Sequence, residues 1–163
     1  MSMGRKQGEQ VSLSYSASAV PSTVASITIY DANQNARTLQ PYERLILDML
    51  AFDTEASDTT NLAYIVAGGG SVATPTVPAS GAVPAAPVIA AFTVQQGIPD
   101  QGIVWPAEGE SLPIGAVPYL VVPTTGTGLT GSVTVNGSGR IINGKSQGPR
   151  PNWQCALTPG GTN

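Results

Sequence analysis

The chain has 163 residues, of which 41% are hydrophobic and only 10% charged, with a net charge of -3 and no histidine. An average globular chain carries roughly 25% charged residues. A chain this apolar and this short reads as one folded domain with extensions, and disorder through charge is excluded. No basic run exceeds Arg5-Lys6, which argues against nucleic acid, and no apolar stretch approaches the length needed to cross a bilayer.

The missing histidine removes Ser-His-Asp and Cys-His nucleophilic systems and nearly all zinc sites. Cys155 is the only cysteine, so an internal disulfide framework is excluded. The N-terminus lacks an apolar signal core, so Sec export is not expected. With 19 glycines and 14 prolines the chain is cut into short pieces, which favours many short strands.

Taken in order, residues 1–22 read as an N-terminal arm, in which Val11, Leu13 and Tyr15 alternate with serines and permit a short strand. Ser26 to Tyr30 alternates polar and apolar residues, the period of a half-buried strand. Asp31 to Asn35 supplies side chains that bond their own backbone and should turn the chain. Arg44 to Phe52 is the densest apolar segment. It fits either a short helix or a strand, and its β-like flanks favour the strand. As a regular strand it would place Leu45, Leu47 and Met49 on one side, with Ile46, Asp48, Leu50 and Phe52 on the other.

Asp53 to Asp58 reads as an acidic turn, Thr60 to Ala67 as a strand, and Gly68-Gly69-Gly70 as its end. No charged residue occurs from Thr59 to Pro99. Within that stretch Ser71 to Pro87 is a Pro/Ala loop with polyproline-like bias. Its lack of charge argues against a freely solvated linker and predicts a place against a neighbouring subunit or another protein.

Val88 to Val94 and Gly102 to Trp105 are further strands, and Ala116 to Val122 is one with Pro118 inside it. Proline cannot donate to a ladder, so that strand should lie at an edge or carry a bulge. Gly131 to Val135 and Gly139 to Ile142 flank Asn136-Gly137-Ser138. This is either a hairpin or one strand broken by a glycine bulge. About eight strands at this spacing predict an all-β sandwich over 23–145, with 146–163 as a C-terminal tail.

No constellation of catalytic residues emerges. Asp53, Glu55 and Asp58 have calcium-ligand chemistry but lack the rest of a binding loop, so a solvated acidic turn is expected. Glu108 and Glu110 are a carboxylate pair separated by a glycine in a turn. Gly68 to Gly70 lacks the lysine of a phosphate loop. Asn136-Gly137-Ser138 matches an N-glycosylation acceptor only by pattern. Cys155 reads as an inert thiol. No enzyme, cofactor or metal is expected. Trp105 and Trp153 are aromatic anchors needing a pocket in the chain or in a partner. Together with Pro118, Tyr119, Arg140 and Arg150 they are the candidate interface residues.

Ser26 to Phe52, with Tyr30-Asp31-Ala32-Asn33 followed by the L-x-x-x-E-R-L-x-L-D pattern from Leu39 to Asp48, resembles the opening of small tailed-phage virion proteins. Leu120 to Gly144, with VTVNGSGRIING, is similar to their closing strand. The resemblance implies a capsid decoration or cement protein: a jelly-roll-like antiparallel β-sandwich that trimerises, binds the major capsid protein from outside, and resides on the virion after synthesis in the host cytoplasm. The Pro/Ala insertion and the tail depart from that pattern. Alternatives are a host-recognition or carbohydrate-binding fibre head using Trp105, Tyr119 or Trp153, a jelly-roll capsid building block, and a carboxylate-only hydrolase.

Overall fold

A computed structural model describes residues 8–56, 61–79, 81–95, 100–106, 108–123 and 130–143. These form ten strands, and no helix occurs among the described residues. The strands are β1 (Glu9–Ala19), β2 (Ala25–Ser26), β3 (Thr28–Tyr30), β4 (Glu43–Thr54), β5 (Asn61–Gly68), β6 (Val88–Val94), β7 (Gln101–Val104), β8 (Glu110–Ser111), β9 (Val117–Val121) and β10 (Thr130–Asn143).

One sheet, here the broad sheet, has the order β3-β1-β10-β4-β7, with β8 also paired to β4; the other, the narrow sheet, has the order β2-β9-β5-β6. Every pairing is antiparallel. β3 is an extra edge strand, and β7 and β8 are two pieces of one edge strand on β4. With those allowances the eight strands run first-eighth-third-sixth in one sheet and second-seventh-fourth-fifth in the other. That is the order of a jelly roll, two interlocked Greek keys.

Period-two alternation supplies the core. Val11 and Leu13 of β1, Leu50 and Phe52 of β4 and Val133 and Val135 of β10 face Ala63 and Ile65 of β5, Phe92 and Val94 of β6 and Leu120 of β9 in one buried cluster. The rings of Phe52 and Phe92 stack across the two sheets, centroids 5.2 Å apart and nearly parallel.

Three expectations change. Residues 9–19 are an interior strand, paired on both sides, with Val11 and Leu13 in the core, so this part of the chain is no arm. The segment Ser26–Tyr30 is two strands: β2 pairs with β9 in the narrow sheet, β3 pairs with β1 in the broad one, and Ile27 is buried at the crossing.

The third change concerns β4. It is a strand throughout, but its register passes from Leu47 opposite Gly139 to Met49 opposite Ser138, skipping Asp48. This bulge shifts the inward set from Leu45 and Leu47 to Leu50 and Phe52. Regular alternation from Leu45 would have turned Leu50 and Phe52 outward.

β10 is one continuous strand of 14 residues, so Asn136-Gly137 makes no turn. Gly137 is needed for close approach: a Cβ there would lie 2.8 Å from both Leu50 Cδ2 and the Met49 carbonyl oxygen. The turn at Asp31 to Asn35 forms as its side chains predict. Asp31 Oδ1 accepts from the Asn33 and Asn35 N–H groups at 2.8 and 2.9 Å, and Gln34 takes a left-handed φ of 65°.

Candidate interaction surface

Alternation along β5 and β9 sends a second set of side chains away from the core. Tyr64, Val66 and Val121 form a buried cluster of their own on the outer face of the narrow sheet, with Tyr119, Val24, Val77 and Ala86 packed against it. Val77 and Ala86 belong to the Pro/Ala segment, which therefore folds back over its own sheet. Pro75 and Pro84 are buried in the same segment.

Backbone contacts pin the fold-back. Ser71 donates to the Ile114 carbonyl through its N–H at 3.2 Å and its hydroxyl at 3.0 Å. Ala67 N–H donates to the Pro87 carbonyl at 2.9 Å, closing the segment's far end. Gly70, at a φ of +61°, packs so closely on Ile114 and Gly115 that a Cβ would lie 2.6 Å from the Ile114 oxygen. Gly68 leaves room for the Pro75 ring, and a Cβ there would also come within 3.0 Å of the Tyr119 ring. The Gly68–Gly70 run thus lets the chain turn back onto its own sheet: the inner side of the segment expected against a neighbouring subunit or another protein meets its own chain, while Val83 stays exposed.

The resulting surface carries no charge. Residues 59–99 and 111–139 contain no Asp, Glu, Lys or Arg, and neither do 10–30. The four strands of the narrow sheet lie wholly inside those ranges. Every charged residue described belongs to the broad sheet or its connections. Three large apolar side chains stay exposed on the neutral side: Val83 at 62%, Leu62 at 45% and Val88 at 43%.

The broad sheet, in contrast, is tied by charge. Arg37 donates to Glu43 through Nη2 at 2.6 Å and Nη1 at 3.0 Å, and to Glu9 through Nε at 3.2 Å. This joins the starts of β1 and β4 to the turn segment. Hydrogen bonds from Arg37, joined by the Gln40 N–H, hold the Glu43 carboxyl below the usual carboxylate range against the effect of burial. At the β4 bulge, Arg140 is 6% exposed, lies 4.0 Å from the Asp48 carboxylate and donates to the Glu108 carbonyl. The Trp105 N–H donates to the Asp48 carbonyl at 3.0 Å. The loop between β7 and β8 thus closes over the bulge. At the opposite end of β7, a hydrogen bond with Asp100 pushes the Asp53 carboxyl up.

The candidate interface residues fall into three groups. Arg140 and Pro118 are buried within the chain and act internally, a correction to their expected role. Pro118 sits in β9 between two strands, yet its carbonyl accepts from Ile27 N–H at 3.3 Å just where β2 leaves the sheet. Its missing N–H faces that same departing side, so the ladder loses nothing. Trp105 and Tyr119 are half-buried, Trp105 against the main core and Tyr119 under the Pro/Ala cover. Arg150, Trp153, Cys155 and Asp58 lie outside the described residues, as does all of 146–163.

Among the described residues no group of three or more acidic or cysteine side chains is placed to hold a metal ion, and no helix is long and apolar enough to cross a membrane. Glu110 pairs with Leu47 in β8 while Glu108 serves Arg140 through its carbonyl. The sequence signal for the neutral face was the uncharged stretch itself; its location on one sheet was not readable from it. No family model matches the chain, and no curated protein and no solved structure was found to be similar to it.

Proposed function

We propose that this chain is a non-enzymatic structural virion protein that coats the outside of a phage capsid as a homotrimer and ties neighbouring shell subunits together. The observation that supports it best is the segregation of charge on a jelly roll: one sheet holds the ion pairs and the other offers a neutral, apolar-studded face. Interface cores are depleted in charge, and stabilisation by a coat protein comes from buried area rather than from reactive groups. The sequence resemblance points the same way.

The test is co-sedimentation of the purified protein with empty capsids of the phage that encodes it. The proposal expects saturable binding and capsids that resist heat better when coated. A variant lacking 148–163 should bind more weakly with its fold intact. Absence of binding to those capsids would overturn the proposal.

A further inference from the structure

We infer that copies of this chain associate through the neutral outer side of the narrow sheet, with Leu62, Val83 and Val88 in the contact. The inference deepens the trimer reading and is independent of capsid binding.

Three observations carry it. First, the four strands of the narrow sheet and the described part of the Pro/Ala segment carry no charged residue, although they come from stretches of the sequence that meet only in the fold. Second, the described part of the cover is already seated on its own sheet before any partner arrives. Pro75 and Pro84 are buried, Val77 and Ala86 pack on Val66 and Val121, and Ser71 and Ala67 bond the two ends of the segment. Association through it costs little ordering entropy. Third, the exposed apolar side chains there lie on three separate pieces of chain, β5, β6 and the Pro/Ala segment.

The occupant follows from charge matching. A partner group carrying charge would be buried here with no counter-charge, at a cost of several kcal/mol per ion. The covering surface must therefore itself be neutral and apolar. The chain provides such a surface in this same face. Packing three copies with this face toward a common three-fold axis also leaves the broad sheets and their connections, with Asp31, Asp53, Glu55 and Asp100, away from the axis, where the net charge of -3 per chain is hydrated and the copies' charges stay apart.

The experiment is solution mass by light scattering of the full chain over a wide concentration range, with Val83→Arg, Leu62→Arg and Val104→Arg. Val104 is 73% exposed on β7, in the broad sheet, and serves as the control. The expected result is a wild-type mass of three chains of 16.6 kDa each. Val83→Arg and Leu62→Arg should each weaken association by about a hundredfold or more, because each buries an unpaired charge. Val104→Arg should leave it unchanged. All three should keep the wild-type unfolding midpoint when dilute, since the side chains are exposed. A monomeric wild type overturns the inference, as does an oligomer indifferent to both Val83→Arg and Leu62→Arg. Capsid binding by a monomer would overturn the inference while sparing capsid attachment, and an oligomer that ignores capsids would do the reverse.

Discussion

The side-chain amide of Gln101 pairs with the backbone of Thr93 as a neighbouring strand would: Nε2 donates to the Thr93 carbonyl at 2.8 Å, and Oε1 accepts from the Thr93 N–H at 2.9 Å. Gln101 belongs to β7 of the broad sheet and Thr93 to β6, the edge of the narrow one. A single side chain thus joins the two sheets and blunts an edge that would otherwise present unpaired backbone groups.

Removing that amide should loosen the edge. Gln101→Ala is expected to cost about 1–2 kcal/mol, two hydrogen bonds of which one leaves a partly buried N–H unsatisfied. Urea denaturation measures it. Gln101→Glu keeps the acceptor but loses the donor and sets a carboxylate beside the Thr93 carbonyl, so it should be at least as destabilising. An unchanged midpoint in both variants would show that the bridge contributes nothing.

The Phe52–Phe92 stack is the central contact between the sheets. Phe52 is fully buried and Phe92 nearly so. Phe52→Ala should cost about 3–5 kcal/mol through lost transfer energy and the cavity left behind. Phe52→Leu should cost clearly less, because it refills part of that volume. Thermal unfolding of the pair separates a packed core from a tolerant one.

The β4 bulge depends on Gly139. A Cβ there would collide with the Ile46 carbonyl oxygen, which is main chain and cannot swing away. Gly139→Ala should therefore cost about 2 kcal/mol. Gly102→Ala, whose Cβ would meet only Leu50 O at 3.4 Å, should be neutral or slightly stabilising because it lowers the entropy of the unfolded chain. The same denaturation experiment reads both.

Stability should depend on pH from both sides. Glu43 has its folded pKa lowered, chiefly by Arg37, so its contribution is present above the unfolded carboxylate range and is lost as pH falls through the folded value. Glu43→Gln should flatten the acid limb and lower stability at neutral pH by about 1–2 kcal/mol. Asp53 has the opposite sign. Its folded pKa is raised by a hydrogen bond with Asp100, so protonated Asp53 favours folding below the unfolded aspartate range, and that advantage disappears as pH rises through the raised value. Asp53→Asn should remove this second dependence. Unfolding midpoints between pH 3 and 8, taken as a range of about this width around the carboxylate pKa values, show whether the two limbs vanish separately.

Much of the local structure was legible in the residues. Short apolar runs gave the strands expected at Val88 to Val94 and Ala116 to Val122, side-chain chemistry gave the turn at Asp31, and the uncharged stretch marked the surface now proposed for association. These features depend on neighbours a few positions apart, and so survive reading in one dimension.

The sequence by itself determined an all-β chain without histidine chemistry, with turns where Asx and glycine residues demand them. The tertiary structure decided what those strands do. It made residues 9–19 an interior strand, because Val11 and Leu13 find their partners beyond residue 130. It split Ser26–Tyr30 between two sheets and shifted the inward face of β4 at Asp48, because register is set across strands and not along them. It also laid the Pro/Ala segment over the outer cluster of Tyr64, Val66 and Val121, since those outward side chains had an apolar surface to bury and this uncharged stretch begins where β5 ends.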